Sequence, residues 1–336
     1  MLIVDVNIHI HDKYMLEGGN LIENSVGQKK EICQWLQGLI NAFVESEENF
    51  VLEELKHIYV ANDYPKELYE FQTKKGMKQG HTKNELGEGQ AMVLSYKNDI
   101  GEDETSIFFR AEFIFGLYTS EALREKFKDE VTMLFNTFFH ELCHINDDFH
   151  TRKLFDIDEI NKCTVIPRNL YPISIGIWKE YYAYRKSAER FPYGDLMIPH
   201  LQETSEWANK EVVELQKKYN QDDNMDKFML NFTSKMIYLS RVMVNVIGNV
   251  QGYTSDGNEQ EKLFKLALQI LPNDKLETVF KTLIQELDNL FNEYPTWKSI
   301  SRLEILNNIV LDCFNAFGVF PSEVKNDQMY IGINFI

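Results

Sequence analysis

What this sequence lacks narrows its class before any motif is considered. The cysteines Cys33, Cys143, Cys163 and Cys313 show no C-x-x-C pair and no regular spacing. That excludes a disulfide framework or a zinc ribbon and fits a reducing cytoplasm. No apolar run approaches the ~20 residues that cross a bilayer. The first ten residues are apolar, but Asp5, Asn7 and His9 interrupt them, and a basic stretch and a small-residue cleavage site are missing. They do not read as a secretion signal. An excess of positive charge is absent too: 35 Lys and Arg stand against 52 Asp and Glu, a net charge of -17. A surface of that sign repels phosphate backbones and anionic lipid, so neither nucleic acid nor a membrane is an expected partner. Internal repeats and low-complexity tracts are also lacking.

What is present is core material. With 44% hydrophobic residues, 23 Phe and 16 Tyr in 336 positions, the chain can bury one large domain or two ordinary ones. Leu2 to Ile10 alternates like a strand, and Lys30 to Glu45 repeats Ile32, Trp35, Leu36, Leu39, Ile40 and Phe43 at helical spacing. Short strands are expected at 57–61, 90–96 and 106–115, with a hairpin turn at 98–101, a brief helix at 67–72 and a loop at 74–89. Ser120 is placed as the N-cap of one long helix running to about Asn146, where Asn146-Asp147-Asp148 supplies the stop. A further helix is expected at 177–189, closed by Phe191-Pro192-Tyr193-Gly194. From Glu203 the pattern is almost wholly helical, at 203–219, 225–247, 259–270, 274–291 and 298–317, and the last eight residues alternate like a strand. The expectation is an α+β protein in two parts, 1–199 and 200–336, with a soft boundary near Pro199.

The long helix carries His140-Glu141-Leu142-Cys143-His144. Two histidines four residues apart share one face of a helix, one turn apart, and two neutral imidazoles so placed can bind one Zn²⁺ at ~2.0–2.1 Å each. Glu141 is rotated from His140 by about 100° and can reach a water on the metal instead of the metal itself. The polar triplet interrupts an apolar run, and burying it without partners would cost several kcal/mol. A metal is the simplest partner. Cys143 reads as a small buried residue turned off the metal face. His9 and His11 share one side of the first strand, a second pair of metal-ligating type, and His81 lies in the glycine-rich loop.

Two residues compete for third ligand. His150 has the H-E-x-x-H-x-x-G-x-x-H spacing of metzincins, with Met197 where their Met-turn falls, but Asp147 stands at the glycine where the chain must turn. The other is Glu180, in Trp178-Lys-Glu-Tyr-Tyr-Ala-Tyr-Arg-Lys-Ser-Ala188. Over roughly residues 105–190 the chain resembles the gluzincin metallopeptidases, and among them the small ImmA/IrrE-type proteins of bacteria and phages. The resemblance implies a zincin-like N-terminal part, a small mixed sheet with an H-E-x-x-H helix and a third-ligand helix, followed by the helical C-terminal part. It implies His140, His144 and Glu180 as zinc ligands and Glu141 as general base. It departs at Tyr184, where several gluzincins hold an Asp that orients a ligand histidine; Asp147 or Asp148 is the alternative for that role. Tyr184, ahead of Tyr181, Tyr182 and Arg185, is the candidate donor to the oxyanion.

Three functions remain open: a cytoplasmic zinc peptidase acting on a peptide or protein, a catalytically silent zincin fold that contacts a regulatory protein partner through its C-terminal helices, and a non-peptide amidase.

Overall fold

A computed structural model describes residues 4–16, 18–78, 80, 83–84, 87–155, 157–192, 196–324 and 327–335. The chain is a mixed α+β protein, mostly helical, whose contacts divide it into two units, Met1–Phe149 and His150–Ile336.

The first unit contains β1 (Asn7–His9), β2 (Lys13–Met15), β3 (Leu21–Glu23), α1 (Val26–Ser46), β4 (Leu55–Ala61), α2 (Tyr64–Lys74), β5 (Lys83–Asn84), β6 (Gly87–Glu88), β7 (Ala91–Lys97), β8 (Asp103–Arg110), α3 (Ala111–Leu117), α4 (Glu121–Lys126) and most of α5 (Lys128–Thr151). Its main sheet has the order β1-β4-β8-β7, the first three strands parallel and β7 an antiparallel edge. Ser25 starts α1 with a capping box: its hydroxyl accepts from the Gln28 amide, and the Gln28 side chain accepts from the Ser25 amide. Ile32, Leu36, Ile40 and Phe43 then form its buried stripe. Phe108 and Phe109 are neighbours on β8 and point to opposite faces of the sheet. On one face Phe109 stacks on Phe113 and Phe138, and Phe43 packs on Phe138 and Phe139, so α1, α3 and α5 lie there. On the other face Tyr59 stacks on Phe108 at 4.5 Å, and α2 covers them with Leu68 and Phe71.

The second unit contains α6 (Ile157–Lys162), α7 (Val165–Arg190), α8 (Met197–Asp222), α9 (Met225–Tyr253), α10 (Gly257–Gln269), α11 (Asp274–Glu293), a 3₁₀ turn (Ile300–Leu303), α12 (Glu304–Ala316) and the hairpin β9 (Val319–Val324) with β10 (Gln328–Ile333). The central helix is α9, with Phe228, Phe232, Met236, Leu239, Val242, Met243, Val246, Ile247 and Val250 all buried. It packs along α7, and Gly248 and Gly252 make that approach possible. A Cβ on Gly248 would stand 2.8 Å from the Tyr181 carbonyl oxygen, and one on Gly252 only 2.2 Å from that of Arg185.

Several expectations are corrected. The helix expected from Ser120 to Asn146 is broken at Phe127 into α4 and α5, and α5 continues past Asn146 to Thr151. Asn146 does not stop it, because its side chain is buried and accepts the Val51 amide at 2.7 Å instead of capping its own helix. The strand expected to reach Phe115 ends at Arg110, where α3 begins and buries Phe113, Ile114 and Leu117 at helical spacing. The helix expected from residue 177 starts at Val165 and runs through Pro172; burial of Leu170, Tyr171, Ile173 and Ser174 offsets the missing amide donor. The stretch 298–317 is a 3₁₀ turn and then α12, the loop at 74–89 contains the short pair β5–β6, and β9 was not expected. The opening strand is confined to Asn7–His9, and residues 1–3 lie outside the described ones, as do Tyr193 and Gly194 of the expected helix stop. The division falls inside α5, not near Pro199, which belongs to the first turn of α8. The reason is that α7 packs on α9 and α12 and so groups with the C-terminal helices.

Candidate metal centre

The apolar side of α5 sets the direction of its polar side. Phe138, Phe139, Leu142, Cys143 and Ile145 are buried, and Phe138 is held against Phe109 of the sheet. That contact fixes the rotation of the helix about its axis and so the direction of His140 and His144. Their rings meet edge to face, 4.6 Å between centroids at 89°, with Nε2 of one 3.0 Å from Nε2 of the other. Donors on a tetrahedral Zn²⁺ with ~2.0–2.1 Å bonds stand roughly 3.3 Å apart, so this separation fits one shared cation. His140 is 8% exposed, and burial, aided by the positive charge His144 would carry, holds it well below the usual histidine range. It is therefore neutral at pH 7, the ligating form. Glu141 and His144 are partly buried.

Glu180 lies in the middle of α7 and is partly buried. Burial pushes its carboxyl above the ordinary value, and Arg241 works against that shift. One donor atom from each of His140, His144 and Glu180 lies within 4.8 Å of the other two. Among the described residues this is the one group of three or more His, Cys, Asp or Glu with that property. Two imidazoles and a carboxylate form the donor set of catalytic zinc sites, three protein ligands with a position left over. The three groups are close enough together to hold a metal ion, and the donor set does not single out the element.

His150 is not in the group. Because α5 does not turn at Asp147, the tight turn that would bring His150 back toward His140 and His144 is absent; its ring instead meets Tyr294 edge-on at 6.0 Å. Asp147 is fully buried on the same helix. Tyr181 is committed elsewhere: its hydroxyl donates to Gln251 at 2.6 Å and accepts from Arg185, which also pairs with Asp288. Tyr184 is partly buried, and its Cβ abuts α9 at Gly248.

The first-strand histidines do not pair with each other. His9 Nε2 lies 3.1 Å from His57 Nδ1, and His11 Nε2 lies 3.1 Å from a Glu67 carboxylate oxygen. His11 and His57 border a cleft of about 620 Å³ beside α2, on the sheet face opposite α5, lined also by Tyr59, Phe71, Tyr96 and Phe108 with lysines and carboxylates. His81 lies outside the described residues.

Compared with protein-family models, with curated proteins and with solved structures, the chain finds no match.

Arg241 and the pair Gly248/Gly252 were missed in the sequence. The small residues four apart on an apolar helix are a signal of close helix packing and were there to be found. Arg241 had none, since its position beside Glu180 depends on how α9 lies on α7.

Proposed function

We propose that the chain is a zinc-dependent hydrolase with a zincin-like site, acting on peptides. The observation that carries this reading is the gathering of His140, His144 and Glu180 donors, with Glu141 the next residue after one of them. The site fits zinc: neutral imidazoles spaced for tetrahedral bonds, a carboxylate, and no thiolate in the set. When bound, zinc would lower the pKa of a coordinated water and polarise the carbonyl under attack.

The chain's own residues then do the following. His140 and His144 stay neutral through burial and offer lone pairs. Glu141 takes a proton from the attacking water and passes it to the departing amine, so that one water is consumed, the C–N bond breaks, and an acid and an amine result. Tyr184, one turn after Glu180, is our candidate hydrogen-bond donor to the carbonyl oxygen as it becomes an oxyanion. The four cysteines are free thiols, which supports a reducing compartment, and we place the protein in the cytoplasm. Among the described residues, no helix is long and apolar enough to cross a membrane.

The test is Glu141→Gln, assayed on a fluorescently labelled unfolded protein with zinc counted by mass spectrometry. The expected result is an unchanged zinc content with turnover lowered about 10²–10⁴-fold. A variant that retains full turnover removes the general-base role.

A further inference from the structure

The hairpin of β9 and β10 has two edges of different character. The Asn334 amide donates to the Gly318 carbonyl at 2.8 Å, in the same register that pairs Gly332 with Phe320 and Tyr330 with Ser322. Even-numbered residues of β10 therefore bond to β9, and the amides and carbonyls of Met329, Ile331 and Ile333 point away from it. Among the described residues nothing meets them: no strand pairs with β10 on that side, and these groups make no backbone bond outside the hairpin. The outer edge of β9 is different. Pro321 removes a donor from it, and Glu323 ties that strand to the start of α7 by accepting from the Thr164 hydroxyl and the Ile166 amide.

Folded chains guard a free strand edge with Lys, Pro, a bulge or a very short length. β10 has none of these guards. It pairs with β9 over six residues without a register shift, and Gln328 to Ile336 hold no charged residue in a chain where 26% are charged. Met329 is 37% and Tyr330 63% exposed. Two copies of a chain with net charge -17 repel each other, so a self-contact needs an uncharged strip. This strip is also its own complement. Antiparallel pairing about Ile331 sets Ile331 on Ile331 of a second copy, Met329 on Ile333, Tyr330 on Gly332 and Gln328 on Asn334. The odd-numbered pairs are the ones whose amides and carbonyls are free, and each facing pair exchanges two N–H···O bonds. Apolar side chains meet apolar ones, two side-chain amides meet, and the ring of Tyr330 covers the bare backbone of Gly332. A slip of the register loses these matches: one direction sets Asp327 against Ile333, the other sets Gly332 against Gly332.

We propose that the chain forms a dimer through β10, two copies joining edge to edge about a two-fold axis at Ile331 so that their hairpins become one continuous antiparallel sheet. The contact is independent of the metal reading.

Sedimentation velocity of the full chain at about 100 μM tests it. Wild type should sediment at twice the chain's mass, and more completely as NaCl rises from about 0.05 to 0.5 M, because salt screens the repulsion between two acidic copies. Met329→Lys, at an exposed position, should weaken the dimer at least about tenfold with an unchanged circular dichroism spectrum. Ile331→Lys, which sets two ammonium groups face to face on the axis, should leave monomer. Mild oxidation reads the register. Ile331→Cys should link two copies above the wild-type level, since facing Cα atoms ~5.5 Å apart are within reach of a disulfide. Gln328→Cys should not, because its two copies lie about 20 Å apart along the strands. Wild type that stays monomeric overturns the proposal. So does a dimer that survives Met329→Lys, or a Gln328→Cys chain that links as readily as Ile331→Cys.

Discussion

His9 and His57 show how far a single contact can move a side chain's chemistry. Their nitrogens face each other at 3.1 Å, and His9 also stacks on Tyr59 at 4.3 Å. Burial lowers the pKa of both; His57 lowers His9 further, while Glu104 pulls His57 back up and Lys75 adds to its depression. The folded chain thus binds fewer protons here than the unfolded chain, which takes them up as pH falls through about 6.5. Stability should therefore drop as pH falls from about 6.5 toward the lowered folded values. His57→Gln removes one proton site and relieves the other. Urea midpoints at pH 7.5 and 5.5 should differ less in this variant than in wild type; an equal difference would show that the pair does not titrate as argued.

At the scale of elements, α7 and α9 matter most, because Glu180 and Arg241 hold their places only while those helices stay in register. Gly252→Ala would put a methyl 2.2 Å from the Arg185 carbonyl oxygen, inside any real contact, so the helices must part. A loss of about 1–3 kcal/mol is expected from such overpacking, together with weaker zinc binding. Gly38 in α1 is the contrast: nothing lies within 4 Å of its added Cβ, and Gly38→Ala should be neutral or gain up to about 1 kcal/mol. Denaturant melts of the pair check both signs. The elements legible in the sequence were those whose signal is local. The stripe of Ile32, Leu36, Ile40 and Phe43 and the one-turn spacing of His140 and His144 need no knowledge of the rest of the chain. Others were settled by distant partners. Val51 holds Asn146 and lets α5 run on, and the packing that buries Leu170 and Ile173 keeps Pro172 inside α7. Neither can be read from a window of sequence.

For the whole molecule, the three side chains that gather as a candidate site were legible while their setting was not. The residues of the H-E-x-x-H motif and Glu180 could be named, whereas the division of the chain inside α5 and the company of Arg241 follow from three-dimensional packing. Donors at 140, 144 and 180 are distant along the chain, so an ion shared by them opposes unfolding. At a thousandfold excess over Kd a ligand adds ~4.1 kcal/mol of stability. A chelator should accordingly lower Tm by about 5 °C or more, read by calorimetry. An unchanged Tm would mean that no ion couples these residues to the fold.

The most direct test of the centre is zinc affinity by competition with a chromophoric chelator, in wild type, His144→Ala, Glu180→Ala and His150→Ala. The account predicts one zinc per wild-type chain, binding weakened on the order of a hundredfold or more in the first two variants, and His150→Ala within about threefold of wild type. A Glu180→Ala chain that binds zinc as tightly as wild type, or a loss confined to His150→Ala, would contradict it.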